Sequence, residues 1–386
     1  MSFLFLKLNK NKRTVVPMLV VVLLVVSSIG PASIAENLPE NAALAQTAAR
    51  APQQTPTAEQ VYKNIQLFKG MPASELEPTM AFISGSLSVK CNHCHVSPFS
   101  KDDKPTKLIA RRMIQMVFDL NKGSFRGEKA VTCFTCHRGN TKPVSVPAVG
   151  QNLWQPAATA PKETLPTVEE VVTRYVQAVG GQSALQKVTS RIAKGSRVGA
   201  DGVLVPEDVY QKAPNKLLVV TAYPDVAFST GFNGTAGWGA SSKGEIRELP
   251  AAMLAQVKGE AEFYKELKLN DTYRKLTVTG KSTIGEEEVY VVEALPRETS
   301  SDLHPEKLYF SMRTGLLIRR YVEAELVLGM FPLQTDYEDY REVDGTRQPF
   351  LIRWSMPGRS WGRKITEIKH NVPIEDSRFN PPMPKP

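Results

Sequence analysis

Apolar positions follow a helical period in the first part of the chain and a period of two in the second. Val61, Ile65, Leu67 and Phe68 suggest an amphipathic helix, with Thr57 as its N-cap and Gly70 at its end. A second helix is expected over about 74–87, with Met80, Ile83 and Leu87 near one face. A third is expected over about 106–121, where Leu108, Met113, Met116, Val117 and Leu120 recur at helical spacing. Polar loops at 97–105 and 122–129 frame it. Further on, Thr167 caps a helix with the stripe Val168, Val171, Val172, Tyr175 and Val179, closed by Gly180 and Gly181, and a short helix follows near 183–188.

Beyond Ile192 the alternation of strands takes over. Strands are expected at 203–205, 216–221, 227–232, 273–278, 288–293, 307–311, 316–321, 335–340, 350–354 and 364–368. Turns are supplied by Arg313-Thr-Gly315, Asp344-Gly345 and Pro357-Gly358, and one helical interruption lies at 250–267. The pattern describes an α+β multidomain chain: a small all-α domain, then a long antiparallel sheet with an early helix and one insertion.

The chemistry sits between the helices of the first part. Cys91-Asn-His-Cys94-His95 and Cys133-Phe-Thr-Cys136-His137 both read C-x-x-C-H, the attachment pattern of a c-type haem. Two thiols two residues apart can each form a thioether to one haem vinyl group, and the next His supplies an imidazole nitrogen to the iron. All four cysteines of the chain are used in this way. A zinc ribbon or a pair of disulfides would use the same thiols, but neither explains the His after the second Cys of both runs. Two covalently bound haem c groups are therefore expected, held by Cys91, Cys94, Cys133 and Cys136, with His95 and His137 as proximal iron ligands. Each iron still needs a sixth ligand. A thioether suits electron transfer, whereas an open position suits gas chemistry or catalysis. Met80 is the candidate for the first haem and Met113 or Met116 for the second. The alternative for each is ordinary core packing. His304 and His370 fall in the second part of the chain and are not expected as ligands.

These residues resemble a known family. A helix-borne Met, a C-x-x-C-H run, a Met-bearing helix, a loop and a second C-x-x-C-H-x-G together look like the cytochrome c subunit of photosynthetic reaction centres. The matching phrases lie at 63–70, 79–80, 113–121 and 131–139. The resemblance implies a multihaem c-type cytochrome domain over 58–147, with Met80 opposite His95 and Met116 opposite His137, Met113 being the alternative one turn earlier. It also implies an electron carrier that takes electrons from a periplasmic or membrane donor and passes them to a membrane-bound acceptor, a photosynthetic reaction centre or a respiratory complex. The family subunit usually carries four haems in two pairs and this chain has one pair, so respiratory and photosynthetic service both fit. The later strands resemble periplasmic lipoprotein carriers of the LolA/LolB type, through the phrases at 309–317 and 336–345 and the closing stretch at 371–382. That resemblance implies a curved, incomplete barrel with an N-terminal helix over 167–386. Its expected role is an apolar cavity for a lipid or quinone-like ligand. The alternative is a packed scaffold for the haem domain or a partner.

Charge and composition fill in the rest. The chain has 386 residues, 42% of them hydrophobic, with a formal net charge of +9. Eleven Lys/Arg against four Asp/Glu between 89 and 143 give the haem segment a net +7, which suits an acidic partner. No nucleic-acid recognition motif is present. No H-E-x-x-H, G-x-S-x-G or phosphate loop marks the β region, so an electron carrier rather than an enzyme is expected. A diheme peroxidase-like enzyme, or a lipophile-binding or sensing module carried on a cytochrome, are the other function classes. Lys7, Lys10, Lys12 and Arg13 precede an apolar run at 15–29, and small residues follow at Ser33-Ile-Ala35 and Ala43-Leu-Ala45. Residues 1–35 thus read as a signal peptide or a retained inner-membrane anchor, either of which places the rest in the periplasm. Residues 36–57 read as a disordered tether and 148–166 as a Pro/Ala/Thr-rich linker.

Overall fold

The protein is described by a computed structural model covering residues 56–143, 164–249, 251–297 and 304–383. The signal segment and most of the tether and linker lie outside these residues. All described residues fall in one compact unit, Gln54–Pro386.

The chain opens with α1 (Ala58–Val61), which is a single turn. The apolar spacing predicts a longer helix, but Tyr62 is already extended and Asn64 has φ +63°. Tertiary pairing explains the difference. Ala58 N–H donates to Met71 O at 2.7 Å and Ala73 N–H to Pro56 O at 2.8 Å, so the segment doubles back on itself. Phe68 and Met71 are then buried while Val61 is left exposed. The helix α2 (Leu76–Leu87) ends where Ser88 turns left-handed and donates its N–H back to Ser84 and Gly85. The long helix α3 (Pro105–Ser124) starts with Pro at its first position, where the missing N–H costs nothing. The one-turn α4 (Cys133–His137) completes the haem segment.

The helices α5 (Val168–Ala178) and α6 (Gly181–Lys187) follow. Thr167 Oγ1 accepts from Glu170 N–H, and Glu170 Oε2 accepts from Thr167 N–H, a reciprocal cap at the start of α5. Then come β1 (Ser190–Val198), β2 (Leu204–Lys212), β3 (Lys216–Ala222), β4 (Ala227–Phe232), β5 (Gly237–Ser241) and β6 (Ile246–Glu248). Two helices intervene, α7 (Ala251–Ala261) and α8 (Leu269–Thr272). The chain finishes with β7 (Tyr273–Ile284), β8 (Glu287–Pro296), β9 (Glu306–Ser311), β10 (Leu317–Leu326), β11 (Gly329–Val343), β12 (Thr346–Met356) and β13 (Arg359–His370).

These thirteen strands form one open, curved, antiparallel sheet in the order β6-β5-β4-β3-β2-β1-β13-β12-β11-β10-β9-β8-β7. Two meanders are joined where β1 pairs with the last strand, β13. Helices close its apolar surfaces. Val171 and Tyr175 of α5, Val179 at its C-cap and Leu185 of α6 pack on Val292, Leu308 and Phe310. Val257 and Ala261 of α7 pack on Leu217, Phe232, Phe350 and Ile365. Leu218, one residue from Leu217, faces the other way and packs with Trp238, Ile374 and Phe379.

A third core joins the haem segment to the sheet. Ala58, Phe68, Phe82 and Ile114 share it with Leu326, Leu328 and Phe331 of the β10–β11 hairpin. The all-α haem segment therefore does not stand apart from the sheet.

The meander junction contains a pH-sensitive group. His370 of β13 is 1% exposed in its side chain, with Nδ1 3.3 Å from Asp344 Oδ2. Arg191 of β1 lies on its other nitrogen, at 3.4 Å. Burial, reinforced by Arg191 and opposed by Asp344, pushes the imidazole down to about 4. The unfolded chain binds this proton near the ordinary pKa of about 6.5, so between those values the unfolded state holds more protons. Stability is thus expected to be complete above about pH 6.5 and to fall by up to about 3 kcal/mol as pH drops to 4. Denaturant midpoints at pH 7 and 4.5 test this, and a His370→Gln chain that kept the same acid slope would refute it.

Candidate haem attachment sites

The first C-x-x-C-H run hangs directly from the left-handed end of α2. Cys91–His93 make a 3-10 turn, and His95 N–H donates to Cys91 O at 3.0 Å, so the run closes on itself. The start of α3 braces it. Thr106 Oγ1 donates to His93 O at 2.6 Å, and Lys104 Nζ donates to Asn92 O. His95 Nδ1 lies 3.1 Å from Phe99 O, and the two rings stack with centroids 5.0 Å apart. Partial burial pushes the His95 imidazole down. Asp102 anchors the following loop by accepting from Arg111 Nη1 at 2.8 Å and Asn64 Nδ2 at 3.0 Å, with Lys107 Nζ also 3.0 Å away. Its hydrogen bonds from Arg111, Lys107 and Asn64 hold the carboxyl well below the usual range.

The second run is a true helical turn. Thr132 N–H donates to Thr135 Oγ1 at 3.0 Å, capping α4. Arg138 then turns left-handed (φ +49°), and Gly139 N–H donates to Ser86 O at 2.9 Å, tying the exit of α4 to the end of α2. The approach is clamped by Asn121 of α3, whose side chain donates to Val131 O at 2.8 Å and accepts from Val131 N–H at 2.9 Å. His137 Nδ1 lies 2.8 Å from Asn140 O.

The two histidines share one arrangement. A carbonyl oxygen can only accept, so Nδ1 carries the proton in each ring and Nε2 keeps its lone pair. This is the tautomer and restraint that a metal-ligating histidine needs. The sequence marked both histidines, but gave no signal for the Phe99 and Asn140 carbonyls or for Asn121.

The cysteines are unpaired: Cys91 and Cys136 are exposed, and Cys94 and Cys133 partly covered. Burial pushes the Cys94 and Cys133 thiols up. Among the described residues, no group of three or more His, Cys, Asp and Glu side chains is gathered to hold a metal ion. The four thiols are thus arranged as two separate pairs, not as a ribbon.

The surroundings fit a large flat apolar group. On α3, Ile114, Val117 and Asn121 face the protein. Ile109, Met113, Met116 and Leu120 fall on a separate stripe about 60° wide at 3.6 residues per turn. All four are between 39% and 46% exposed. A stripe of apolar side chains left this exposed among the described residues is unusual on a helix whose other face is packed. Met116 and Leu120 also line an open hollow of about 460 Å³ with Arg112, Gln115, Asp119 and Ser124. Phe134, inside the second run, is exposed as well. Met80 is half-buried on α2, against the core that α2 shares with the hairpin. The residues present therefore fit two haem c groups: two thiol pairs, two oriented imidazoles, and thioethers on helices beside them.

Neither other histidine joins these runs. His370 is enclosed by Arg191 and Asp344, and His304 Nε2 lies 3.9 Å from Glu325 Oε2. In the β region, a cleft of about 90 Å³ opens between Pro166, Glu170, Arg174 and Gly315. That volume is well below the 300–1,000 Å³ typical of ligand pockets.

Each of the two runs has the form of a c-type haem attachment site. Residues 24–187 match the family model for the photosynthetic reaction centre cytochrome C subunit. The chain is 40% identical over 93 residues to the photosynthetic reaction center cytochrome c subunit of Thermochromatium tepidum, covering 23% of each chain. It is 33% identical over 130 residues to the subunit of Rubrivivax gelatinosus, covering 32% of this chain and 35% of that one. The chain thus spans roughly a quarter to a third of the length of these relatives. Its sheet is similar to that of a LolA superfamily protein from Nitrosomonas europaea, with 12% identity and a TM-score of 0.41, over 56% of this chain and 99% of that one.

Proposed function

We propose that the chain is an exported diheme cytochrome c that carries single electrons to a membrane-bound acceptor, in a photosynthetic or respiratory chain. The observation that carries this reading is the matched pair of runs. Each has an imidazole fixed through Nδ1 to a backbone carbonyl, next to a Met-bearing helix. The similarity to reaction-centre cytochrome subunits supports it. Cys91, Cys94 and His95 would hold one haem c, and Cys133, Cys136 and His137 the other. Bound haem c supplies a reversible one-electron change at its iron.

The remaining work falls to this chain's own side chains. The Phe99 and Asn140 carbonyls keep Nε2 of His95 and His137 free to ligate. Met80 and Met116, with Met113 the alternative to Met116, would supply thioether ligands to the two irons. The α3 stripe excludes water from one face. Lys90, Lys101, Arg112, Lys122, Arg126, Arg138 and Lys142 are exposed and form no ion pair among the described residues, so their charge is available to an acidic partner. No helix among the described residues is long and apolar enough to cross a membrane. Residues 1–35 are read as the export signal or inner-membrane anchor. Residues 167–386 form the sheet that supports the haem segment.

The test is an optical redox titration of haem-loaded protein, repeated under carbon monoxide. Two low-spin centres indifferent to carbon monoxide are expected. Met80→Ala and Met116→Ala should each open one haem to the gas, and if Met116→Ala is silent while Met113→Ala opens it, the ligand is Met113. A haem that binds carbon monoxide readily in the unaltered protein would overturn the carrier reading in favour of an enzyme or gas sensor.

A further inference from the structure

The tip of the β10–β11 hairpin is unusual. Hairpin turns are normally polar, with Gly, Asn or Asp at the tip. Here Leu326 pairs with Gly329, and the two residues between them are Val327 and Leu328. Leu328 is only 2% exposed, and Leu326 and Phe331 are 8% and 2% exposed. An apolar turn of this kind is stable only when something covers it. Its cover is the haem segment: Phe68, Phe82 and Ile114 pack against it.

The contact reaches the second haem run at its most sensitive point. Lys129 Nζ donates to Glu325 Oε1 at 2.7 Å and to Leu326 O at 2.8 Å, which pins the chain four residues before Cys133. Gly329 sits directly against Thr132, the cap of α4. A Cβ built on Gly329 would lie 2.8 Å from Thr132 Cγ2, closer than side chains tolerate. Asn121 holds Val131 from α3. The three residues 129, 131 and 132 are thus clamped between α3 and the hairpin, and Cys133 is the next residue. The first run has a different set of supports: its side-chain hydrogen bonds are to the start of α3 and the 99–104 loop.

We infer that the β10–β11 hairpin, through Gly329 and Glu325, is a positioning element for the second haem. Gly329, Glu325 and Lys129 fix where α4, and with it Cys133 and His137, sits relative to α3 and its methionines. This rests on reading Cys133–His137 as a haem attachment turn. It gives the sheet a specific part in electron transfer, because ligand orientation and burial set a haem's potential.

The test uses full-length, haem-loaded protein and reads each haem separately by optical redox titration and low-spin EPR. Gly329→Ala should move the midpoint and the EPR signal of one haem and leave the other unchanged. Thr132→Ser keeps the capping hydroxyl but deletes Cγ2, so the double variant Gly329→Ala/Thr132→Ser should return that haem to its unaltered values. Backbone strain from alanine at φ +130° would lower stability in both variants and would not respond to residue 132. Lys129→Met, which adds no Cβ to a glycine, should shift the same haem in case Gly329→Ala fails to fold. The inference is overturned if both haems shift equally, if neither does, or if Thr132→Ser brings no recovery. Haem content of the unaltered protein separates the two levels of argument: fewer than two covalent haems would defeat the functional reading itself, whereas two haems indifferent to these variants would defeat only the role of the hairpin.

Discussion

Replacing Cys133 and Cys136 together by serine is expected to leave a protein that carries one covalent haem instead of two. The two thiol pairs are independent in space, each on its own turn with its own braces. The first run closes through His95 N–H on Cys91 O and leans on Thr106. Its loading should therefore survive. The fold should survive too, because α4 is held by Thr132, Thr135, Asn121 and the Gly139 bond to Ser86 rather than by its thiols. The measurement is haem per polypeptide from the alkaline pyridine spectrum, with mass spectrometry of the intact chain. A fall to about half is the expected result for loss of one of two sites. Loss of both haems would mean that the runs load as a unit. No loss would mean that the second run holds its haem through His137 and packing alone. The same variant should leave the α3 stripe around Met116 uncovered, so that it binds a hydrophobic dye more strongly than the parent does.

Much of this arrangement was legible in the residues, and the parts that were not share a cause. The C-x-x-C-H runs announce themselves because covalent chemistry demands a fixed spacing. The helices α2 and α3 and ten of the strands follow from local periodicity. The failures are long-range. The helix expected from Val61 to Phe68 stops after one turn, because Ala58 and Ala73 pair across the bend at Met71 and Pro56. The strand β5, Gly237–Ser241, has two glycines and little alternation, yet Trp238 within it is buried and donates Nε1–H to Phe379 O at 2.8 Å. The edge strand β6 is three exposed residues with no apolar signature. The pairing of β1 with β13 leaves no local trace, since each strand only needs some antiparallel neighbour. Leu326 to Leu328 look like the interior of a strand until the haem segment is seen lying on them. At the candidate site, the candidate side-chain ligands could be named from spacing, but the backbone carbonyls beside their imidazoles could not, because every residue has one.

Arg363→Met is expected to destabilise the protein by about 3–5 kcal/mol, the cost of breaking a buried ion pair from one side. Arg363 on β13 donates Nε to Glu207 Oε1 on β2 and Nη1 to Glu260 Oε1 on α7, both at 2.6 Å. The side chain of Glu207 is 2% exposed, and that of Arg363 is 10%. Burial alone would raise Glu260, but Arg363 outweighs it and holds the carboxyl below its ordinary value. The two carboxylates in turn overcome the burial of the guanidinium and keep it charged. Thr221 Oγ1 donates the remaining hydrogen bond to Glu207 at 3.0 Å. Methionine fills much of the arginine's volume beside Trp354, so the loss reports charge rather than a cavity. What remains is a carboxylate in a dry setting with a single hydroxyl partner. The contrast is with Arg353–Glu338 and Arg341–Asp339, where both side chains are well exposed and water screens the charges, so little stability rests on either pair. Denaturant unfolding of the haem-loaded variants measures the difference. Adding Glu207→Gln to Arg363→Met should recover part of the loss, since a neutral amide is less costly to bury than an orphaned charge. A loss below about 1 kcal/mol for Arg363→Met would show that Glu207 reaches water or takes up a proton. The anchor of α7 on the sheet would then be the apolar contact of Val257 and Ala261 alone.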